Sequence, residues 1–126
     1  MKILIAEDSS TVRRLVAARL AADGFDVVEA ADGEEALTVA RREHPDLLVL
    51  DKVMPKLDGF EVVRALRGDP GTRAVPIIML TERTSEEDVL SGLNLGVEEY
   101  MPKPFSPHEL SARVRRVLAR VSAQGE

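Results

Sequence analysis

Short aliphatic runs alternate with amphipathic stretches along the whole chain, and this alternation restricts the possible folds more than any other feature. The runs are Ile3-Leu4-Ile5-Ala6, Val27-Val28, Leu47-Leu48-Val49-Leu50 and Val75-Pro76-Ile77-Ile78-Met79-Leu80, with a weaker one around Tyr100-Met101. They predict five strands. Between and after them, helical spacing links Val12, Leu15, Val16 and Leu20, then Ala36, Leu37 and Ala40, then Phe60, Val63 and Leu66, then Val89 and Leu93, and finally Leu110, Val114, Val117, Leu118 and Val121. Five helices are therefore expected. Strands that are apolar on both faces need cover on both faces, and helices joining successive strands supply it when the strands run parallel. The pattern predicts an α/β fold, a single doubly wound (βα)5 domain with a parallel five-stranded sheet.

Punctuation agrees with that reading. Asp23-Gly24, Pro45, Gly68-Asp69-Pro70-Gly71 and Gly96 close the first four helices, while Ser106-Pro107-His108-Glu109 supplies a cap, a proline at the first helical position and a capping-box glutamate. A chain of 126 residues can bury one core. The absence of cysteine removes disulfides, thiolate metal sites and thiol catalysis, and fits a reducing compartment. The opening MKILIAEDSS turns acidic after four apolar residues, too few for a signal peptide, and no segment approaches the roughly 20 apolar residues of a membrane span. A cytoplasmic protein with no membrane partner is expected. A net charge of -5 argues against direct nucleic-acid binding by this chain over a wide surface.

In open α/β sheets ligands sit beyond the carboxyl ends of the strands, so the last residue of each strand carries the functional information. Strand one ends in Glu7-Asp8, strand three in Asp51, strand four in Thr81 and strand five in Lys103-Pro104. Carboxylates gathered on one rim repel unless a cation joins them, and hard oxygen donors without cysteine or histidine suit Mg²⁺. Asp8 and Asp51 are the candidates for direct ligands. A carboxylate beside such a metal can attack a phosphoryl group, and Lys103 and Thr81 are the right types to meet its oxygens, a cation and a hydroxyl donor.

From Lys2 to about Val121 the chain resembles the receiver domain of bacterial two-component response regulators, especially the chemotaxis type. The likeness rests on Glu7-Asp8 followed by Ser9-Ser10-Thr11-Val12-Arg13-Arg14, on Asp51 with Met54-Pro55 and Asp58-Gly59, and on Thr81, Tyr100 and Lys103-Pro104-Phe105. The resemblance implies a flavodoxin-like sheet in the order 2-1-3-4-5, with residues 1–121 as receiver and 122–126 as a tail too short for an output domain. It implies that Asp51 accepts a phosphoryl group from the phosphohistidine of a histidine kinase or phosphotransfer protein. Mg²⁺ would be bound by Asp8, Asp51 and the carbonyl of Val53, with Glu7 acting through water. Lys103 would pair with the phosphoryl oxygens, Thr81 would move to meet them and Tyr100 would turn inward behind it. The Lys103-Pro104 peptide would be cis. An output domain or target protein, or a second copy of the chain, would read the face formed by the fourth helix, the fifth strand and the last helix. Such a domain is a switch and not an enzyme.

Plainer readings stand beside these. Asp51 taken singly could cap a turn, and Glu7-Asp8 could cap the first helix. Asp58, before Gly59-Phe60, reads as a helix cap and not a ligand. Thr81 is left for phosphate because Thr84 and Glu87 supply a better capping box for the fourth helix. Tyr100 could be simple packing. Arg113, Arg115, Arg116 and Arg120 suit a solvated face as well as a docking one, and His44 and His108 look like neither phosphodonors nor ligands. Three residues depart from the family pattern. Lys52 follows Asp51 but should point to the opposite side of the strand. Glu82 puts a carboxylate at the mouth of the site, where it would repel anionic donors or screen the acyl phosphate from water, so poor phosphorylation by small donors such as acetyl phosphate is expected. Pro102 removes a ladder donor, tolerable on an edge strand. A haloacid-dehalogenase-like phosphatase would need an aspartate where Val53 stands, and a cap domain. A pseudo-receiver that keeps the fold without phosphorylation is the remaining alternative.

Overall fold

The computed structural model describes residues 1–82, 90 and 96–124. The described elements run β1 (Lys2–Ala6), α1 (Ser10–Ala22), β2 (Asp26–Ala30), α2 (Gly33–Glu43), β3 (Leu47–Asp51), α3 (Gly59–Arg67), β4 (Ile77–Thr81), β5 (Glu99–Pro102) and a C-terminal helix (Pro107–Gln124). The expected helix around Val89 and Leu93, and the Thr84–Glu87 box at its start, lie outside the described residues. All four strand pairings are parallel, and the sheet order is β2-β1-β3-β4-β5. This is the order that the resemblance implied.

Successive side chains of the central strands alternate between two cores. On one face Leu4, Leu48, Leu50, Ile77 and Met79 pack against Ala36, Leu37 and Ala40 of α2 and Val62, Val63 and Leu66 of α3. On the other, Ile3, Ile5, Val49, Ile78 and Leu80 pack against Val16 and Leu20 of α1 and Leu110, Val114 and Val117 of the C-terminal helix. Each fully buried aliphatic side chain contributes about 1.5–3 kcal/mol. Leu15 departs from the expected helix stripe: it is 58% exposed, on the outer side of α1.

Local chemistry sets the helix starts. Ser9 caps α1 by accepting from the Val12 N–H at 3.3 Å, so the neighbouring acids are not needed as caps. Asp58 and Glu61 form a complete capping box at α3. Ser106 caps the C-terminal helix through the Glu109 N–H at 2.9 Å, with Pro107 first in the helix. The Glu109 carboxylate is turned to Arg113 at 3.1 Å. Gly59 lets α3 begin against the end of β3: its N–H donates to the Lys52 carbonyl at 2.7 Å, and a Cβ there would lie 2.8 Å from the Asp51 carbonyl oxygen. Pro102 sits on edge strand β5, and the Lys103-Pro104 peptide is cis.

At the opposite end of the sheet, Arg67 donates to the carbonyls of Arg73, Val75 and Gly96 at 2.9, 2.6 and 2.8 Å and pairs with Glu98 at 3.3 Å. Arg67→Ala would leave carbonyls at the starts of β4 and β5 without their charged donor. It is expected to cost about 2–4 kcal/mol in urea denaturation, with Arg67→Lys recovering only part, because an ammonium lacks the planar fork. A loss within about 0.5 kcal/mol would refute the clamp.

Candidate functional site

Two strand ends at the carboxyl rim of the sheet bring the predicted acids together. Glu7 and Asp8 follow β1 directly, and Asp51 is the last residue of β3. One carboxylate oxygen from each lies within 4.8 Å of the others. Glu7 and Asp51 are only 2% and 4% exposed, whereas Asp8 faces solvent. Lys103, just past β5, reaches across with its Nζ 3.0 Å from Asp51 Oδ2 and 3.4 Å from Glu7 Oε2. The other Asp51 oxygen accepts from the Val53 N–H at 3.3 Å.

Electrostatics explain the tension in this cluster. Burial pushes the Glu7 carboxyl up to about 8, and a hydrogen bond to Asp51 and the charge of Asp51 push the same way, with Lys103 opposing. For Lys103 burial acts downward, but its bonds and attraction to Asp51 and Glu7 prevail, so it titrates above an ordinary lysine. Three carboxyl groups against one ammonium make the rim rich in hard oxygen donors that a further cation would ionise and bind. That donor set fits a divalent cation of the Mg²⁺ type.

The remaining predicted residues fall around this centre. Thr81 ends β4, is buried, and its carbonyl accepts from the Lys103 N–H at 2.7 Å. Tyr100 is half-buried opposite Met79, on the sheet face that Thr81 shares by strand alternation, and packs against the α2 and α3 core. The Val53 side chain is 71% exposed. Lys52 does leave the strand on the opposite side from Asp51, and its ammonium sits 5.5 Å from the centre of the Phe60 ring. A groove of about 500 Å³ opens beside Lys103, lined by Val12, Leu15, Val16, Glu82 and Phe105 among others, which puts Glu82 at the edge of the site.

The arginines of the C-terminal helix are more engaged than a solvated stripe. Arg113 pairs with Glu99 at 3.5 Å, Arg116 pairs with the same carboxylate, and Arg115 lies 3.5 Å from Asp23. His44 closes α2 in the left-handed conformation, and His108 meets Arg19 at 2.9 Å. One contact at the site had no role in the sequence reading: Arg13 donates to the Glu7 carbonyl oxygen.

A parallel sheet in this order, with acids and a lysine gathered at its carboxyl rim, defines a class of signalling domains, the receivers of two-component systems. Residues 3–115 match the family described as "Response regulator receiver domain", and the chain belongs to that family. The family consists of signalling domains and not catalytic enzymes. A "Probable transcriptional regulator ycf27" of Porphyridium aerugineum is 52% identical over 120 residues, covering 95% of this chain and 49% of the relative. The "Alkaline phosphatase synthesis transcriptional regulatory protein PhoP" of Bacillus subtilis (strain 168) is 48% identical over 119 residues, covering 94% and 49%. The chain thus spans about half the length of the curated relatives it matches. Among solved structures, chemotaxis response regulator CheY4 of Vibrio cholerae superimposes with a TM-score of 0.87 at 38% identity, covering 92% of this chain and 97% of that one. Among the described residues, no helix is long and apolar enough to cross a membrane.

Proposed function

We propose that the chain is a phosphorylation-dependent switch in which Asp51 accepts a phosphoryl group from the phosphohistidine of a histidine kinase or phosphotransfer protein. The observation that carries this reading is the placement of Asp51: buried at a strand end, held by Lys103 at 3.0 Å, and ringed by two further acids. A carboxylate so placed is aimed by its neighbours before any donor arrives. Its oxygen attacks phosphorus while the bond to the donor imidazole breaks, and the imidazole leaves as the neutral base after taking a proton. In this reading Lys103 balances charge on the transferred oxygens and Thr81 donates a hydroxyl to them. Asp8, Asp51 and the Val53 carbonyl would hold Mg²⁺, with Glu7 acting through water; when bound, the ion neutralises phosphoryl charge.

In this reading residues 1–121 form the receiver and 122–126 a tail. Thr81 and Tyr100 couple the phosphorylated site to the face of the fourth helix, β5 and the C-terminal helix. That face is read by an output domain or target protein, or by a second copy of the chain. The relatives' names make a transcriptional output the leading class, and a cytoplasmic setting belongs to the same proposal. Phosphorylation biases two pre-existing conformations of the face.

The test is incubation with Mg²⁺ and a phosphorylated histidine kinase. An acid-stable, base-labile label is expected on the wild-type chain and is expected to be absent in Asp51→Asn. A label that persists in Asp51→Asn, or a wild-type chain that neither binds Mg²⁺ nor takes label, would overturn the reading in favour of a binding module that keeps only the fold.

A further inference from the structure

The carbonyl at the carboxyl end of β1 lies where the sheet no longer supplies a donor. Ala6 is the last β1 residue paired with β2 and β3. Glu7 adds one more bond through its N–H, to the Ala30 carbonyl at 3.1 Å. Its own carbonyl oxygen turns to Arg13 instead, accepting from Nη1 at 2.8 Å. The Nε of the same guanidinium is held by Glu29 of β2 at 3.0 Å, and the Arg13 N–H is fixed to the Ser9 carbonyl at 2.9 Å. Arg13 therefore spans from α1 to β2 and grips the peptide plane that joins Glu7 to Asp8. Its side chain is only 15% exposed, and of its two side-chain bonds the one to the Glu7 carbonyl is the more sheltered from water.

The grip matters because of what Asp8 lacks. Among the described residues, no group donates to the Asp8 carboxylate, which faces solvent. Glu7 is steered by Lys103 and by burial, whereas the exposed Asp8 carboxylate is positioned from the Glu7-Asp8 peptide that Arg13 bonds. The orientation of that backbone is fixed by the carbonyl that Arg13 holds.

We infer that Arg13 is a positioning residue for the cation site, aligning the Asp8 carboxylate with Asp51 by clamping the Glu7-Asp8 peptide. The inference rests on the reading of Glu7, Asp8 and Asp51 as a Mg²⁺ site. A purely electrostatic role predicts the opposite sign, since removing a positive charge near a cation site tightens cation binding. A role in helix stability alone predicts no change in cation affinity once the chain is folded.

The experiment measures Mg²⁺ affinity by titration calorimetry on the full chain, in wild type, Arg13→Gln, Arg13→Lys and Glu29→Gln. Arg13→Gln is expected to weaken Mg²⁺ binding by about tenfold, the scale typical of residues that orient metal ligands. Arg13→Lys and Glu29→Gln should fall between it and wild type, because the lysine keeps one of the two bonds and the glutamine leaves Arg13 Nε only a neutral, weaker acceptor. The Mg²⁺ concentration for half-maximal Asp51 labelling should rise in parallel, with the maximal rate held within about twofold. In the metal-free chain, the Asp8 and Ser9 amides should exchange faster with solvent in Arg13→Gln. Affinity unchanged or tightened in a folded Arg13→Gln, or a reduced maximal rate with unaltered Mg²⁺ dependence, would overturn the inference. If Arg13→Gln does not fold, an unweakened Glu29→Gln overturns it equally. A wild-type chain that binds no Mg²⁺ removes the underlying reading of the site, and the inference with it.

Discussion

Lys103→Met is expected to lower Asp51 labelling by about two to three orders of magnitude while leaving Mg²⁺ binding intact or tighter, the scale seen when one preorganised charge-stabilising donor is removed. The Lys103 ammonium bonds Asp51 and Glu7 and is held charged by them. Before a donor arrives it offsets carboxylate repulsion, and afterwards it is the one protein cation positioned for the transferred oxygens among the described residues. Methionine keeps the length and apolar stem but carries no charge. Phosphoryl transfer should therefore lose its stabilised transition state. A divalent cation, by contrast, meets less repulsion without the ammonium and more negative charge from the acids. The metal-free variant should also be destabilised at pH 8 by about 3 kcal/mol, because a buried carboxylate pair has lost its partner. Radiolabel transfer from a phosphorylated kinase, Mg²⁺ calorimetry and urea denaturation measure the three effects. Labelling within about tenfold of wild type would remove Lys103 from the reaction.

Much of this arrangement was legible in the sequence, and what was not has a physical reason. LLVLD and IIMLT lack polar alternation because β3 and β4 are covered on both faces, so those strands and the functional rim could be read directly. Strand order could not, since parallel strands of similar composition are interchangeable by pattern; it came with the family resemblance. Lys52 directly follows Asp51, and strand alternation was enough to send it to the other side, where Phe60 receives it. Arg13 and Arg67 were given no role because their bonds to backbone carbonyls, one for Arg13 and three for Arg67, are invisible in a sequence. Every residue has a carbonyl, so such a contact leaves no mark at the accepting position. Ion pairs across elements are similarly hidden. Arg113 and Arg116 meet at Glu99 because β5 passes beneath the C-terminal helix, and no helical period signals that. The capping glutamate at Glu109 failed for a related reason, since an arginine four residues on competes for its carboxylate.

Stability of the metal-free chain is expected to fall as pH rises from about 5 to 8, and Mg²⁺ should reverse the fall. In the folded state the Glu7 carboxyl is pushed from 4.5 up to about 8, by burial first and then by its hydrogen bond to Asp51 and the charge there. In the unfolded chain it titrates near its ordinary value. Between those limits the folded state holds a proton that the unfolded state has lost, so stability declines with pH across this window and levels off above it. The decline is on the order of 3 kcal/mol. Asp23, Asp32 and Glu43, whose carboxyls are lowered chiefly by hydrogen bonds from Ser111, the Glu35 N–H and Lys2, act in the other sense. Their contribution is present above the unfolded values and is lost as pH falls through the lowered ones, below the Glu7 window. The raised Lys103 loses its contribution only above the ordinary lysine range. A maximum near pH 5 follows, with Glu7, among the described residues, controlling the slope on its alkaline side. Glu7→Gln should therefore flatten the profile between pH 5 and 8 and make the metal-free chain more stable than wild type at pH 8. Because Mg²⁺ requires the ionised carboxylates, its binding should release a proton near neutral pH, seen as a calorimetric heat that varies with the ionisation enthalpy of the buffer. Urea denaturation across that range, with and without Mg²⁺, measures the slope. A flat or rising metal-free profile in wild type would mean that Glu7 keeps its charge in the fold and that Lys103 alone neutralises the pair.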